Sequence, residues 1–277
     1  MLPNLYSVYL AFTNHSLFHF EEFSFVGLRN FERILFGPEM RTFGRVFVWT
    51  FIWAGLSVFF SIAIGLMLAL PLNTPGLRGV NFYRTLFIVP WAIPAFISVM
   101  MWQGLLNSSD QGAINALIVQ MGGETIPWLD DPGWARFSVL LVNVWLGYPF
   151  MLTVCLGALQ SIPKDLFEAA GIDGASPPRQ FLSVTLPMLK PALLPVVVSS
   201  FAFNFNQFST IYLLTAGGPP VPGSDGGATD ILITTSYKLA FTQYQYGLAC
   251  AYAVLIFLIV ASLSWFNFNA SGAFEDE

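Results

Sequence analysis

The chain alternates between long apolar stretches and shorter polar ones. Five stretches contain no Asp, Glu, Lys or Arg: residues 46–70, 85–106, 137–159, 191–215 and 246–266. Each is at least as long as the roughly 20 residues that cross the hydrocarbon of a bilayer as a helix. Because a lipid-exposed backbone must satisfy its own hydrogen bonds, helices are the predicted structure. A further apolar stretch, residues 1–12, is too short to cross and is interpreted as the outer half of a first span.

Some predicted spans contain residues that weaken helices. Pro90 and Pro94 fall in the stretch 85–106, and Gly147-Tyr148-Pro149 falls near the middle of the stretch 137–159. Proline removes a helical hydrogen bond, which a membrane tolerates where protein or a cavity covers the gap. Broken helices near the bilayer midplane are where transporters tend to hold their substrates. We therefore predict interrupted helices at both places.

The polar stretches outside the spans contain further predicted elements. A short helix is predicted near residues 113–120, and a short surface helix near residues 230–241. Between them, the segment 217–227 (GGPPVPGSDGG) is rich in glycine and proline, so it is predicted to be an irregular loop.

Composition places the chain in a membrane. The protein is 55% apolar and only 10% charged, with a mean hydropathy of +0.65, whereas a soluble domain carries about a quarter charged residues. Lysine and arginine in the segments 71–85 and 161–190 outnumber those in the later loops of the other side, which favours a cytoplasmic position for these two segments. The segment 13–45 adds four arginines to the opposite side. Charge alone therefore leaves the orientation open.

One polar segment between two predicted spans has a helical pattern of its own. In residues 161–190, Pro163 and nearby acidic residues favour the start of a helix, and Gly174 with Pro177-Pro178 favours its end. The helix carries more apolar and small residues than a freely solvated helix needs, which indicates a docking surface for another protein. Glu168 is placed to pair with a cation of that partner. The predicted docking residues are Phe167, Glu168, Ala169, Ala170 and Gly174.

Two predicted spans carry uncharged polar and aromatic residues at positions i, i+3, i+4 and i+7, which share one face of a helix. Amides inside a bilayer must find partners or face water. Amides and hydroxyls pair with sugar hydroxyls, and aromatic rings suit the C–H faces of sugars, so the pattern predicts a path for an uncharged carbohydrate. The alternative is that these residues only join helices. The residues are Asn143, Leu146, Gly147 and Phe150 in one span and Ser200, Phe203, Asn204 and Gln207 in the other.

Other chemistries lack a matching pattern in the sequence. The five stretches contain no carboxylate or histidine for coupling to an ion gradient, and no hydrolytic pair of an intramembrane enzyme. No G-x-x-x-x-G-K-[ST] phosphate loop occurs, so ATP chemistry must come from another chain. His15 and His19 are interpreted as solvated, and Cys155 and Cys250 as small buried apolar residues. We predict no metal, no cofactor and no nucleic-acid partner.

The segment 161–190 resembles the cytoplasmic coupling loop of ABC importer permeases. The match rests on Glu168-Ala169-Ala170, on the following Gly174, and on Val184-x-Leu186-Pro187 before the next span. Residues 143–150 (NVWLGYPF) and 200–208 (SFAFNFNQF) extend the likeness to the family of the larger permease subunit of maltose/maltodextrin importers. The resemblance implies an all-α membrane protein: a type I ABC importer transmembrane domain over residues 1–267, with a six-helix core, an incomplete first helix and a coupling helix, followed by an acidic tail over residues 268–277.

The same resemblance implies a function and partners. Such a subunit is a non-catalytic permease of the bacterial or archaeal plasma membrane, in contact with lipid, with its coupling loop and C-terminus in the cytoplasm. It pairs with a second permease subunit, two copies of a cytoplasmic ATPase and an extracytoplasmic solute-binding protein that touches loops 107–136 and 216–245. The implied cargo is maltose, maltodextrins or related glucosides, with trehalose or glycerol phosphate as alternatives.

Sugar contacts are implied at the eight polar and aromatic positions given above and at Trp91. Three of these positions depart from the family pattern. Phe150 and Trp91 stand where a tyrosine is familiar, and Gln207 replaces an asparagine. Because the lost tyrosine hydroxyl at 150 removes a hydrogen bond, the preferred sugar is expected to differ from that of the best-known members.

Overall fold

The computed structural model describes residues 2–270, with side chains through residue 265. Within that range the protein is helical, and its β-type contacts are isolated bridges. The predicted tail at 268–277 lies outside the described residues, apart from the last residues of the final helix. The helices are α1 (Leu2–Leu10), α2 (Arg29–Leu35), α3 (Met40–Leu72), α4 (Val80–Ala92), α5 (Ala95–Leu105), α6 (Ala113–Gln120), α7 (Pro132–Gln160), α8 (Lys164–Ile172), α9 (Pro177–Gln180, continued by a π-helical turn, Phe181–Thr185), α10 (Leu186–Phe205), α11 (Phe208–Thr215), α12 (Leu232–Phe241) and α13 (Tyr246–Ala270).

Among the described residues, four helical segments are long and apolar enough to cross a bilayer: α3, α7, the run from α9 to α10, and α13. The pair α4 and α5 makes a fifth crossing if it is counted as one span, and it is bent by 88°. This confirms the predicted interruption of the stretch 85–106 at Pro94, whereas α4 runs through Pro90 without a break. The bend falls at Ile93 and Pro94, and Ile93 is extended (φ −87°, ψ 131°) because a residue before proline avoids the helical region.

The predicted interruption of the stretch 137–159 is wrong. Helix α7 runs through Gly147 and Pro149 without a break. Pro149 is buried, and its carbonyl accepts a hydrogen bond from Thr153 Oγ1 at 3.0 Å. Neighbouring helices can hold a proline-containing transmembrane helix straight because they pack against the weakened turn. Here α3 packs along α7 over the same turns.

The stretch 191–215, predicted to be one span, is two helices. Helix α10 ends at Phe205 and α11 begins at Phe208, so Asn206 and Gln207 form a connection inside the predicted span. The N–H of Phe208 donates to the carbonyl of Asn206 at 2.9 Å, which closes a tight turn. Asparagine favours such turns because its short amide competes for the backbone hydrogen bonds of a helix. Gln207 therefore lies outside the helix on which its spacing placed it.

Helices α3 and α7 pack side by side and approach each other to backbone contact. A Cβ added at Gly65 would lie 2.7 Å from the backbone nitrogen of Leu152, and one at Gly147 would lie 2.9 Å from Ser61 Oγ. Small residues let transmembrane helices approach to backbone contact in this way. Space therefore requires glycine at position 65, where the neighbour is backbone, whereas a side chain at position 147 would have to displace only the Ser61 hydroxyl.

Gly65→Val is expected to destabilise the protein, because the added side chain must push α3 away from α7. Overpacking of this kind costs roughly 1–3 kcal/mol or more. The measurement is the temperature at which the detergent-solubilised protein loses its monodisperse elution peak. Gly55→Val is the matched control, since a Cβ at Gly55, on the same helix, would have no neighbour within 4 Å. Equal transition temperatures for the two variants would contradict the close packing of α3 on α7.

The segment from Gly217 to Asp230 is irregular, as predicted, but it is firmly held. Asp230 is buried, accepts a hydrogen bond from the N–H of Gly227 and pairs with Lys238 Nζ, both at 2.7 Å. Helices α3 and α7 also hold this loop, since Trp49 Nε1 donates to the carbonyl of Thr229 at 3.2 Å and Arg136 Nε donates to the carbonyl of Ala228 at 2.8 Å. Helix α12, which follows, is not the surface helix that was predicted, because one face of it is buried against α3 and α13.

Candidate functional site

A cavity of about 870 Å³ opens between α3, the bend of α4 and α5, α7 and α10. The residues that line it carry no formal charge. All nine residues that the sequence pointed to as substrate contacts line this one cavity: Trp91, Asn143, Leu146, Gly147, Phe150, Ser200, Phe203, Asn204 and Gln207. The structure thus brings together residues that are up to 116 positions apart, from Trp91 to Gln207, in sequence.

The aromatic part of the cavity depends on the bend between α4 and α5. The bend brings Trp91 to α7, where its ring centroid lies 6.1 Å from that of Phe150 at an interplanar angle of 54°. Trp91, Phe150 and Phe203 are all exposed in this chain. Exposed aromatic faces next to amides are the combination that an uncharged ring-shaped ligand requires, since the rings receive its apolar faces.

The polar part of the cavity depends on the break after α10. A helix end leaves its last carbonyls without partners, which is costly within a bilayer. Here Trp53 Nε1 donates to the carbonyl of Asn204 at 2.9 Å, and the N–H of Gln207 donates to the same carbonyl at 3.1 Å. The break is therefore satisfied from within the protein, which leaves the side chains of Asn204 and Gln207 at the cavity wall.

A chain of hydrogen bonds fixes the amides of α7 and α10. Asn143 Nδ2 donates to Asn204 Oδ1 at 2.6 Å, and Asn204 Nδ2 donates to the carbonyl of Ser200 at 2.8 Å. Thr210 Oγ1, on α11, donates to Asn143 Oδ1 at 3.3 Å. Asn143 is only 6% exposed. Asn143 therefore joins α7 to α10 and α11, and Asn204 places the bonded amides at the cavity wall, whereas contact of these residues with a sugar stays a prediction.

Three residues of the site were missed by sequence reasoning. Ser61 and Ser199 line the cavity, and Thr210 lies behind it against Asn143. Ser199 had a signal, since it precedes Ser200 in the same polar run. Ser61 and Thr210 gave no such signal, because hydroxyl residues are scattered along both apolar stretches and only the packing of α3 and α11 on α7 brings these two to the site.

Thr210 is expected to orient the cavity amides. Thr210→Val keeps the shape and removes the donor to Asn143, so the Asn143 amide loses one of the bonds that fix it. Losing one such hydrogen bond costs about 1 kcal/mol, or roughly a fivefold rise in the KM for uptake, with little change in the maximal rate. Thr210→Ser keeps the hydroxyl and should restore the wild-type KM. A maximal rate that falls in both variants at unchanged KM would contradict an orienting role.

The second predicted site, on α8, lies on the face opposite the outer loops. Helix α8 spans Lys164–Ile172, and Gly174 follows it with a positive φ of 74°, which glycine adopts without strain. Glu168 and Ala169 are exposed and Ala170 is half-buried. No residue of α8 is fully buried. The predicted docking helix is therefore formed, and its surface is available within this chain.

Phe167 has a different position from the one expected. Its ring packs against a buried cluster of α3, α7 and α10 that includes Leu159 and Ile162, so it anchors α8 to the spans. The large apolar residues exposed on the helix are instead Leu166 and Ile172, the latter 87% exposed. Helical spacing alone did not show which side of α8 faces the spans, because both sides carry apolar residues.

No group of three or more metal-ligating side chains occurs in the part of the chain that the structure describes. Cys155 is buried in the cluster that holds Phe167, and Cys250 on α13 is half-buried against the main apolar core. Both cysteines are thus packed as small apolar residues, as predicted.

The chain was compared with known proteins. Residues 61–270 match the family model described as "Binding-protein-dependent transport system inner membrane component". The galactooligosaccharides transport system permease protein GanP of Bacillus subtilis is 38% identical over 281 residues, which cover 100% of this chain and 67% of that protein. The maltose/maltodextrin transport system permease protein MalF of Salmonella typhimurium is 42% identical over 252 residues, covering 89% of this chain and 49% of that protein.

A solved structure supports the same fold. A bacterial ABC transporter involved in the import of the acidic polysaccharide alginate contains a chain with a TM-score of 0.78 and 21% sequence identity, covering 99% of this chain and 90% of that one. The present chain spans about half the length of its MalF relatives. With a family model that covers most of its length and a relative aligned along all of it, the chain belongs to the inner-membrane components of binding-protein-dependent transport systems, with the transmembrane fold of ABC importers.

Proposed function

We propose that this chain is the permease subunit that forms half of the translocation path of an ABC importer for carbohydrates. The single observation that carries the proposal is the 870 Å³ cavity that combines amides and exposed aromatic rings without a formal charge. The names of the relatives, a galactooligosaccharide permease and a maltose/maltodextrin permease, support the same class of cargo. The chain itself is non-catalytic, and a separate ATPase supplies the energy.

The proposed cargo is an oligosaccharide, from maltose or a related glucoside upward. The cavity volume lies in the upper part of the range of roughly 300–1,000 Å³ that is usual for ligand pockets. In the proposed complex, sugar hydroxyls pair with Ser200, Asn204 and Gln207, while the rings of Trp91 and Phe203 receive the C–H faces. The phenyl ring of Phe150 offers no hydroxyl, so selectivity there rests on shape.

The proposed partners follow from the surfaces that the chain leaves uncovered. Within this chain, only 11% of the most apolar 18-residue segment of the α9–α10 span is buried. The corresponding segment of α7 is 44% buried. Met100 and Met101 on α5 are likewise exposed. These faces, which border the open side of the cavity, are proposed to pack against a second permease subunit that supplies the other half of the path.

Energy is proposed to enter through α8. Two copies of a cytoplasmic ATPase would engage the two permeases, one of them holding the exposed side of α8 around Glu168 and Ile172. Since Phe167 joins α8 to the cluster at the inner ends of α3, α7 and α10, a displacement of α8 is transmitted to the helices that line the cavity. An extracytoplasmic binding protein would deliver the sugar at loops 107–136 and 216–245.

Uptake by the reconstituted complex tests the proposal. Vesicles containing this chain, its partner permease, the ATPase and the binding protein are given labelled maltose, maltotriose, a galactooligosaccharide, trehalose and glycerol phosphate, with and without internal ATP. ATP-dependent uptake of a neutral oligosaccharide is expected. Uptake that needs an ion gradient and no ATP would overturn the proposal in favour of a secondary transporter, and preferential uptake of glycerol phosphate would overturn the carbohydrate assignment.

A further inference from the structure

A second, smaller cavity of about 400 Å³ lies on the outer face, away from the translocation path. It is formed by the segment that joins α1 to α2, by the first turns of α2, and by the turn before α13. We call it the outer pocket. The residues on which its chemistry depends are His15, His19, Arg29, Arg33, Gln243 and Gln245.

The arginines of the outer pocket carry more positive charge than nearby carboxylates neutralise. Arg29 is exposed and has no side-chain hydrogen bond or ion pair with any residue that the structure describes. Arg33 Nη2 donates a hydrogen bond to Glu39 Oε1 at 2.9 Å, and the Arg33 side chain remains 42% exposed. No Asp or Glu is among the residues that line the pocket. The site therefore offers donors and positive charge to a ligand that brings negative charge and acceptors.

A buried ring nitrogen at the wall of the outer pocket also lacks a hydrogen-bond partner. His15 Nδ1 is buried and has no hydrogen-bond partner among the residues described. Buried polar atoms in proteins are normally paired. The histidine ring is held among aromatic rings, with centroids 4.7 Å from Phe23 and 5.1 Å from Tyr246. It is thus fixed at the wall of the pocket, between the basic lining and an aromatic surface.

The pocket lies beside the end of a membrane-spanning helix. Helix α13, which is long and apolar enough to cross a bilayer, begins at Tyr246, and the short apolar helix α1 ends next to it at Leu10. The joining segment is fastened there, because the N–H of Gly247 donates to the carbonyl of His15 at 2.8 Å. The headgroup layer flanks the hydrocarbon core at this level.

An exposed apolar rim surrounds the outer pocket. Phe18, at the pocket itself, is 90% exposed, and neighbouring side chains of the same segment are exposed as well: Leu17, Phe20, Phe25 and Leu28. Aromatic residues are enriched at membrane interfaces, where their rings leave water. A solute-binding protein that docks only to deliver substrate would leave this apolar rim exposed to water for part of each cycle. Lipid would cover the rim at all times. Glu21 and Glu22 lie in the same segment, exposed and outside the pocket lining.

We propose that the outer pocket binds the phosphate of an outer-leaflet phospholipid. The guanidinium of Arg29 contacts the phosphate oxygens, since arginine matches the geometry of phosphate and pairs with it through charge-assisted hydrogen bonds. The carboxamides of Gln243 and Gln245 contact the rest of the headgroup, and Phe18 with the other rim residues lies at the boundary of the acyl chains. A bound lipid here would fasten the α1–α2 segment to the outer ends of the spans. This inference is independent of which sugar the importer carries.

The test titrates phosphatidylglycerol onto the detergent-purified, delipidated transporter complex and follows retained lipid by native mass spectrometry. Arg29→Gln is expected to raise the lipid concentration for half-occupancy of this site about tenfold, the usual loss when one hydrogen bond to a charged group is removed. Arg78→Gln is the matched control, because Arg78 is an exposed arginine in the turn between α3 and α4, at the opposite face. It should leave occupancy unchanged.

Two further measurements distinguish a bound lipid from a soluble phosphate and from a docked protein. Inorganic phosphate and glycerol phosphate at millimolar concentration should not displace the lipid, because they lack the chains that the apolar rim holds. Displacement by either would assign the pocket to a soluble anion and overturn the lipid. Unchanged lipid retention in Arg29→Gln would also overturn the proposal, and weaker association of the binding protein in that variant would then assign the pocket to protein docking.

Discussion

Glu168→Lys is expected to prevent stable association of the ATPase with the permease while leaving the permease inserted and folded. Glu168 is exposed on α8, and no residue of this helix is fully buried, so the change leaves packing within the chain intact. If an ATPase cation pairs with this carboxylate, reversal of the charge replaces an attraction by a repulsion at the docking surface. Losing one partner of such a pair costs 2–5 kcal/mol or more, which weakens association at least about thirtyfold.

The measurement is co-purification of the ATPase with affinity-tagged permease, together with ATP-dependent uptake. Glu124→Lys is the control, since it introduces the same charge change at an exposed position of the outer loop 107–136. Wild-type recovery of the ATPase is expected for Glu124→Lys. Undiminished recovery with Glu168→Lys would refute the role of α8 as the docking helix.

Asn204→Ala is expected to produce the largest loss at the cavity. Asn204 links the two amide-bearing helices, since its Oδ1 accepts from Asn143 at 2.6 Å and its Nδ2 donates to the carbonyl of Ser200 at 2.8 Å. The variant removes an amide from the cavity wall and leaves Nδ2 of the nearly buried Asn143 without its acceptor. A lost hydrogen bond together with an unsatisfied amide costs about 2–3 kcal/mol, so the efficiency of sugar uptake should fall roughly 30- to 150-fold.

Asn206→Ala provides a control two residues away. Asn206 is exposed, does not line the cavity, and its Nδ2 makes one long hydrogen bond of 3.5 Å to the carbonyl of Ala202. Both variants should assemble with the partner subunits in normal yield. Uptake at the wild-type rate with Asn204→Ala would mean that the amides only join helices, and an equal loss in both variants would indicate a defect of the α10–α11 turn rather than of binding.

The spans could be predicted because a membrane imposes a simple requirement on sequence. A segment in hydrocarbon must be apolar, long enough and free of charge, and these are local properties. Short elements outside the spans were also recognisable, and α6 has the predicted bounds of residues 113–120. Gly174 was predicted to end the coupling helix and does so with a positive φ, because that conformation favours glycine wherever it occurs.

The breaks were harder to predict than the spans. A proline interrupts the crossing at Pro94 and does not at Pro149, although both lie in apolar stretches. The difference is in the neighbours, since α7 around Pro149 is packed along α3 while the α4–α5 bend borders a cavity. The break after Phe205 requires a donor for the freed carbonyl of Asn204, and that donor, Trp53, is 151 residues away in sequence.

By itself, the sequence determined that the chain is a helical membrane protein, that its polar intramembrane residues are uncharged, and that one soluble helix lies between two spans. Those properties follow from composition and from spacing along a single helix. Only the tertiary structure decided that the ring of Trp91 contacts that of Phe150 and that the Asn143 amide is hydrogen-bonded to Asn204 and Thr210. It also decided that Phe167 packs against the spans. Each of these depends on which faces of separate helices pack together, and the free energy of that packing comes from contacts between residues far apart in the chain.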